Sequence, residues 1–556
     1  MAQATAVVRP STTKMSRQHK RVLVASSMGT IFEWYDFILF ASLTPIIAAN
    51  FFSGVRPDIA FIFALMAFSA CFAVRPLGAV IFGRIGDLVG RKNTFIATVT
   101  LMGLATFLIG MLPTYQTWGL ASPILLLCLR LLQGVSLGGE SGGAATYVSE
   151  HSPIEQRGFF TSFIQCMAPG GVFLSLVVIV GLRLILGEAD FLAWGWRLPF
   201  LLSVVLLVIS VWIRSTLDDS PIFQRMKAEG KVSKAPLREA FGTRDNIGKA
   251  VAVFFIVAAT SVISQTGLVF GLLFLVQTLK VPLLTANLLV GAAIGLSLPL
   301  YPFIGKLSDR IGRKPIIIAG CILAATTYFP IMKALTHFAN PAYERALATT
   351  PVMLRADPSE CSIQFNPTGT AKFLSSCDIA KDILARSGVS YNQTAAPAGT
   401  TALVTIGGVE IPSFDGRGLA PEVLAPRVDA TRKAVAGALV KANYPAQANM
   451  QEANLPMVFV LLLILAVYGV IPFAPVSAVI VELFPTRIRY SAMSVPSHLA
   501  NGWVGGFQAA AAFALVAATG DIYSGTWYAI FWAVAGAVVY LLFVPETKGR
   551  DLEAIA

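Results

Sequence analysis

Four ionisable residues stand where an ionisable residue is costly. Glu33, Asp36, Arg75 and Arg130 lie inside long apolar stretches. A charged group within a membrane-spanning helix costs a few kcal/mol and marks function by default. Glu33 and Asp36 are three residues apart, so a helix puts them on one face. At about 1.5 Å per residue, a first stretch entered near Val22 places Glu33 roughly 16 Å deep and Asp36 roughly 20 Å deep. A fourth stretch entered from the other side near Ala121 places Arg130 roughly 13 Å deep. In a hydrocarbon core about 30 Å thick these groups meet near the midplane. Carboxylates beside a cation in a dry site can exchange protons when that cation moves. The bland alternative is a static ion pair that pins two helices.

The elements that position these groups are apolar helices. The chain has 556 residues, 55% of them hydrophobic and 13% charged, with mean hydropathy +0.70. A soluble chain of this length carries about twice as many charges. Apolar stretches near the 20 residues that a span needs are expected at 22–49, 58–82, 94–113, 121–148, 158–186, 194–213, 250–279, 284–305, 315–335, 456–481, 491–518 and 524–544. The fourth, fifth and eleventh are Gly-rich, as suits close helix packing. The first is too long for a signal-peptide core, so no cleaved leader is expected.

The net charge of +12 is distributed by topology. Short connections on the side opposite the N-terminus hold only Arg56, Arg183, Arg197 and Lys280, whereas basic residues crowd the other side. The positive-inside rule then places both termini in the cytoplasm. No basic face is left for a nucleic acid. The linker residues Arg225, Lys227, Lys231, Lys234 and Arg238 suit an anionic lipid surface. Cys71, Cys128, Cys166 and Cys321 fall in spans as packing residues. Cys361 and Cys377 fall in one long outer segment, where an oxidising compartment would let them pair.

The chain repeats itself. Gly83-Arg-Ile-Gly-Asp87-Leu-Val-Gly90-Arg91-Lys92 matches Gly305-Lys-Leu-Ser-Asp309-Arg-Ile-Gly312-Arg313-Lys314 at an offset of 222. Glu150-His-Ser-Pro153-Ile-Glu-Gln-Arg157 resembles Glu482-Leu-Phe-Pro485-Thr-Arg-Ile-Arg489 at an offset of 332. The larger offset locates an insertion of about 110 residues in the second half. The expected organisation is a tail (1–21), a six-helix bundle (22–213), a linker (214–249), helices seven to nine (250–335), an outer insertion (336–455), helices ten to twelve (456–544) and a tail (545–556). The insertion reads as either a small folded domain or a loose lid. Two related halves imply alternating access around a midplane site. The motif glycines permit a tight turn, and Asp87 and Asp309 suit helix N-termini.

These motifs resemble those of the major facilitator superfamily, as do Arg130-Leu-Leu-Gln-Gly134 and Pro545-Glu-Thr-Lys-Gly549. Within it the chain is similar to the metabolite:proton symporters, the group of shikimate, α-ketoglutarate, citrate and proline/betaine carriers. Gly29-Thr-Ile-Phe-Glu33-Trp34-Tyr35-Asp36-Phe37, Arg75-Pro76-Leu77-Gly78, the run from Arg130 to Glu140, and Glu482 to Tyr490 carry that likeness. It covers nearly everything outside the insertion. The chain departs from the pattern at Leu88, at Pro496-Ser-His498-Leu-Ala-Asn501-Gly-Trp503, in lacking a heptad tail after Glu553, and in the insertion itself.

The resemblance implies that spans one and four are neighbours, and hence a Glu33/Asp36–Arg130 cluster coupling proton movement to transport. It implies a cytoplasmic latch built from Gly83, Asp87, Arg91, Glu150, Arg157, Gly305, Asp309, Arg313, Glu482 and Arg489, with Glu140 as a nearby gate. Substrate-binding candidates are Tyr35, Arg75, Gln133, Gln265, Tyr301, His498, Asn501 and Trp503. Arg75 reads equally as an interfacial anchor, and His498 as a packed, hydrogen-bonded histidine. No metal spacing, phosphate loop or activated nucleophile is present, so neither a cofactor nor an enzyme nor an ATP-driven pump is expected. The fold expected is an all-α membrane protein, twelve helices in two pseudo-symmetric bundles, with an extracytoplasmic insertion between helices nine and ten. The function expected is a monomeric symporter in a bacterial inner membrane, importing a small carboxylate with protons. An exporter of the same fold and a non-transporting ligand sensor are the rival readings.

Overall fold

The structure, a computed structural model, describes residues 17–54, 57–215, 221–363 and 373–552. Residues 1–16 and 553–556 of the expected tails, and Arg56, lie outside the described residues. The long apolar stretches form α1 (Arg17–Phe51), α2 (Pro57–Leu88), α3 (Arg91–Met111), α4 (Ala121–His151), α5 (Arg157–Leu186) and α6 (Leu198–Ser215). The second half supplies α7 (Arg244–Thr278), α8 (Leu283–Ile311), α9 (Arg313–Ala339), α10 (Leu455–Val481), α11 (Arg489–Thr519) and α12 (Thr526–Phe543). Among the described residues ten helices are long and apolar enough to cross a membrane, or eleven with α1, which bends by 57° between Phe40 and Ser42. The second expected stretch lies in α2, 32 residues long. Apolar side chains on the outer surface, such as Leu184 and Trp212, remain exposed, as a lipid-facing surface requires.

Helices α2 and α4, and α1 and α5, pack within the first half. Helices α7 and α12, and α9 and α10, do so within the second. The halves meet where α2 lies on α11 and α5 on α8. Helix α7 carries π-type turns at Thr266–Phe270 and Phe274–Thr278, and α11 carries one at Ala500–Gly505. Such turns bend a helix and recur at functional sites. Cys71, Cys166 and Cys321 are buried as expected of packing residues, but Cys128 is exposed on the outer face of α4.

The insertion is a folded α/β unit. Strands β1 (Val352–Ala356), β2 (Tyr391–Ala395), β3 (Leu403–Ile406) and β4 (Val409–Pro412) form a sheet in the order β2-β1-β3-β4. β1 runs parallel to β2 and antiparallel to β3. Val352, Leu354 and Ala356 alternate inward, the period-two pattern of a half-buried strand. The helix Ser376–Ser387 is capped by Ser375, whose hydroxyl accepts from the Asp378 N–H at 3.0 Å. Cys361 and Cys377 form a disulfide with Cα atoms 5.2 Å apart. The unit docks on the ends of α7 and α11, where the last turn of a helix leaves carbonyls without partners. The Tyr391 N–H donates to the Gly520 carbonyl at 2.7 Å and its hydroxyl donates to the Ala517 carbonyl. Asn340 donates to the Leu279 carbonyl at 2.9 Å, and the Ala448 N–H to that of Lys280 at 3.0 Å.

Candidate functional site

The charges inside the helices form two ion pairs rather than one cluster. Glu33 on α1 pairs with Arg75 on α2. Asp36, less than one turn further along α1, pairs with Arg130 on α4 at 3.5 Å. Residues i and i+3 are about 60° apart around a helix, enough here for one to meet α2 and the other α4. The expected grouping of Glu33 with Arg130 is therefore replaced by Glu33 with Arg75.

The Asp36 pair is sealed. Arg130 and Gln133 have no exposed surface and Asp36 only 2%. The Gln133 amide donates to both Asp36 oxygens, at 3.0 and 2.9 Å, and its carbonyl accepts from Arg130 at 2.8 Å. Thr106 joins the group through a 2.8 Å bond with Gln133. The Arg130 guanidinium lies over the Phe40 ring, 4.0 Å from its centroid, a cation–π contact that helps hold a desolvated charge. Buried charges need such satisfaction to be tolerated.

The Glu33 pair faces a cavity between the halves. One wall carries Thr30, Glu33, Trp34, Phe72 and Arg75; the other carries Ser261, Ser264, Gln265, Ser477, His498 and Asn501. The carboxylate and guanidinium thus come from the first half, and hydroxyls, amides and an imidazole from the second. Of the substrate-binding candidates, Arg75, Gln265, His498 and Asn501 line this space. The other four do not. Tyr35 is buried and donates to the Pro199 carbonyl at 2.7 Å. Gln133 is committed to Asp36. Tyr301 is buried in an apolar cluster with Cys166, Val470 and Ala474. Trp503 is half exposed on the outer surface. Trp34, Phe72, Gln165 and Ser264 were not legible as cavity residues, because nothing in their local pattern separates them from packing residues.

On the side where the chain enters α1, buried charges tie the halves together. Asp87, at the end of α2, accepts from the backbone N–H groups of Tyr490 and Ser491 at 3.3 and 2.9 Å. Asp309, at the end of α8, accepts from those of Gly158 and Phe159, both at 2.8 Å. Each carboxylate therefore caps the first turn of a helix in the other half, where unpaired N–H groups and the helix dipole favour a negative charge. Arg489 pairs with Glu150 at 2.9 Å, and Arg91 lies 3.8 Å from Glu150. In the other copy, Glu482 pairs with Arg157 and Arg313, both at 2.9 Å. Glu140 is buried against Arg214 of α6 at 3.0 Å, beside this network. Gly90 and Gly312, at φ 133° and 105°, make the turns after α2 and α8. Gly83 and Gly305 instead lie inside helices. A side chain at Gly305 would stand 2.4 Å from the Ser162 hydroxyl, and one at Gly83 would stand 3.1 Å from Ser491 Cα. Their role is close approach of the halves, not the expected turn.

The segment after α12 closes this side. The Arg550 and Leu552 carbonyls accept from Arg157 and Arg489 at 3.1 and 3.2 Å. Glu546 accepts from the Arg313 and Lys314 N–H groups at 3.1 and 3.0 Å. Burial pushes the Glu546 carboxyl up, but its backbone donors (Lys548, Arg313, Lys314 and Thr547) outweigh that and hold it below the usual carboxylate range.

Known proteins agree with this architecture. The family model described as "Sugar (and other) transporter" matches residues 22–254 and 433–556. A putative proline/betaine transporter of Staphylococcus haemolyticus is 36% identical over 54% of this chain and 64% of its own length. The proline/betaine transporter of Salmonella typhimurium is 35% identical over 54% of this chain and 62% of its own. The matches to these two relatives thus span just under two thirds of their length. The shikimate transporter of Escherichia coli is 33% identical over 57% of this chain and 72% of its own. A solved structure of the proton:xylose symporter XylE superposes with TM-score 0.61 at 15% identity, covering 96% of this chain and 98% of that one; a likeness at that identity speaks for fold. These proteins are transporters and not enzymes. The chain belongs to the sugar (and other) transporter family and has the major facilitator fold of a multi-pass membrane transporter.

Proposed function

We propose that the protein is a proton-coupled symporter that imports a small carboxylate by alternating access. The observation that carries this reading is the cavity between the halves, with the guanidinium of Arg75 in its wall and two intramembrane carboxylates within one helical turn of each other. Arginine is the residue suited to bidentate recognition of a carboxylate. The names of the relatives, proline/betaine and shikimate transporters, support a carboxylate-bearing solute. The proton is carried by the layer of Glu33, Asp36 and Arg130. Drawing Arg130 away from Asp36 in another conformation leaves a buried uncompensated charge, which protonation relieves.

In this reading the bent α1 and α2 complete a set of twelve spans. The basic side is the cytoplasm of a bacterial cell, with both termini there, and the latch closes that face in the conformation described. The insertion then lies outside, where a disulfide is stable. The protein works as a monomer among membrane lipids.

The test is the internal pH of proteoliposomes holding a trapped pH dye. Shikimate, quinate, L-proline, glycine betaine and dicarboxylates are added in turn, to wild type and Asp36→Asn. One compound should acidify the wild-type lumen and fail to do so in the variant. Solute entry without any pH change in the wild type would refute proton coupling.

A further inference from the structure

We infer that the proton bound with substrate is taken by Glu33, because the substrate carboxylate displaces Glu33 from Arg75. This rests on the proposed symport and assigns its substrate-linked proton to a particular pair.

The geometry separates the two pairs by access. Glu33 and Arg75 both line the cavity, whereas Asp36, Arg130 and Gln133 do not. A solute in the cavity can reach Arg75 directly. It can reach Arg130 only after the sealed group of Asp36, Gln133, Thr106 and Phe40 has come apart. Arg75 has one carboxylate partner within ion-pair distance among the described residues, and that partner is Glu33. An incoming carboxylate competes for the same guanidinium.

Charge balance then requires a proton. Arg75⁺ with Glu33⁻ is neutral. Adding a carboxylate anion leaves one excess negative charge between apolar helices. Excess charge of this kind is costly unless neutralised. A hydronium ion reaching the cavity gives up its proton: its O–H bond breaks, an O–H bond forms on a Glu33 oxygen, water is released, and the substrate carboxylate becomes the counter-ion of Arg75. No electron moves and the site is neutral again. Among the described residues the other charged side chains facing this region are already paired, which leaves the His498 imidazole as the rival proton acceptor. Glu140 on α4 is held by Arg214 on α6. Asp36 on α1 is held by Arg130 on α4. His498 on α11 lines the cavity on the far wall, and neither ring nitrogen meets a protein hydrogen-bond partner among the described residues.

The test is equilibrium binding to the full-length protein in detergent, from pH 5.5 to 8.5. The probes are shikimate, quinate, lactate and benzoate. Binding that takes up one proton weakens about tenfold per pH unit on its alkaline limb. Wild type should show that slope; Glu33→Gln should be flat and should bind better than wild type at pH 8.5. Glu33→Asp should keep the slope with a shifted limb, which answers the case where Glu33→Gln does not fold. A pH-indicator dye should also report one proton taken up per probe bound to wild type. A slope that survives in Glu33→Gln overturns the assignment to Glu33 and leaves the symport intact. A flat wild-type profile, or absence of proton uptake, overturns it too. If no probe binds wild type at any pH, the carboxylate reading itself fails and takes this inference with it.

Discussion

Asp309 and Phe159 belong to opposite halves of the molecule and are joined by a 2.8 Å hydrogen bond from the Phe159 backbone N–H to the Asp309 carboxylate. Asp87 makes the same bond to Ser491 at 2.9 Å in the other copy of the repeat. The repeated loop motif is thus a pair of crossed helix caps. Alternating access, if it opens this side, would have to break both.

Under the proposed alternating access, the caps should oppose opening of that side. A charged hydrogen bond contributes about 1.5–3 kcal/mol. Asp309→Ala removes two, to Gly158 and Phe159. A Ser162→Cys reporter, packed on Gly305 across the seam, should react with an impermeant maleimide at least about tenfold faster in the Asp309→Ala background. Asp309→Asn, which keeps an acceptor, should have a smaller effect. An unchanged rate in both would mean that these caps do not control opening.

The sealed pair on α1 and α4 should show strong non-additivity. Arg130→Ala alone strands Asp36 and should destabilise the detergent-solubilised protein by about 3–5 kcal/mol. The double change Arg130→Gln with Asp36→Asn should cost less than Arg130→Ala alone. Thermal unfolding followed by tryptophan fluorescence decides this. Equal or additive losses would show that the two residues do not act as a pair.

The insertion should depend on its disulfide more than transport does. Closing a loop of about 16 residues contributes about 3 kcal/mol. Replacing Cys361 and Cys377 by serine should make this segment sensitive to limited proteolysis while the helical halves stay resistant. Tyr391→Phe should loosen its anchorage on α11 by about 1 kcal/mol, seen as faster amide exchange near Gly520. Equal protease resistance in the double-serine variant would contradict the first expectation.

Glu546 gives a pH dependence with a definite sign. Its folded-state carboxyl is held below the ordinary value of 4.5, so its contribution is present above that pH. It is lost as pH falls through the lower folded value. Glu546→Gln should therefore lower the melting temperature at neutral pH, with the gap to wild type closing below pH 4.5. A gap that is constant across that window would mean the charge is not what matters.

Much of this was legible in the sequence. The apolar stretches report helices because lipid leaves the backbone no other partner. The repeat at Gly83 and Gly305 announced two related halves, and Asp87 and Asp309 announced helix caps. What could not be read was tertiary. Glu33 and Asp36 look equivalent on a helical wheel, and only the positions of α2 and α4 separate them. Tyr301 and Trp503 have the right composition for a cavity but point into packing and outward. Gly83 and Gly305 were legible as important and misleading as to why, because a glycine for contact and a glycine for a turn look alike in one sequence. The insertion folds into a sheet from strands of four or five residues, too short for their periodicity to stand out.

In the proposed function, protons drive solute movement through these buried carboxylates. The most direct measurement is gradient-driven accumulation in proteoliposomes, with the membrane potential clamped and the outside made acidic. The same carboxylate and betaine panel serves, radiolabelled. Wild type should concentrate one compound above its outside level, lose this on adding a protonophore, and lose it in Asp36→Asn. Equilibration to the outside level and no further, with or without the gradient, would contradict proton coupling and leave the charged layer as a structural feature of a uniporter.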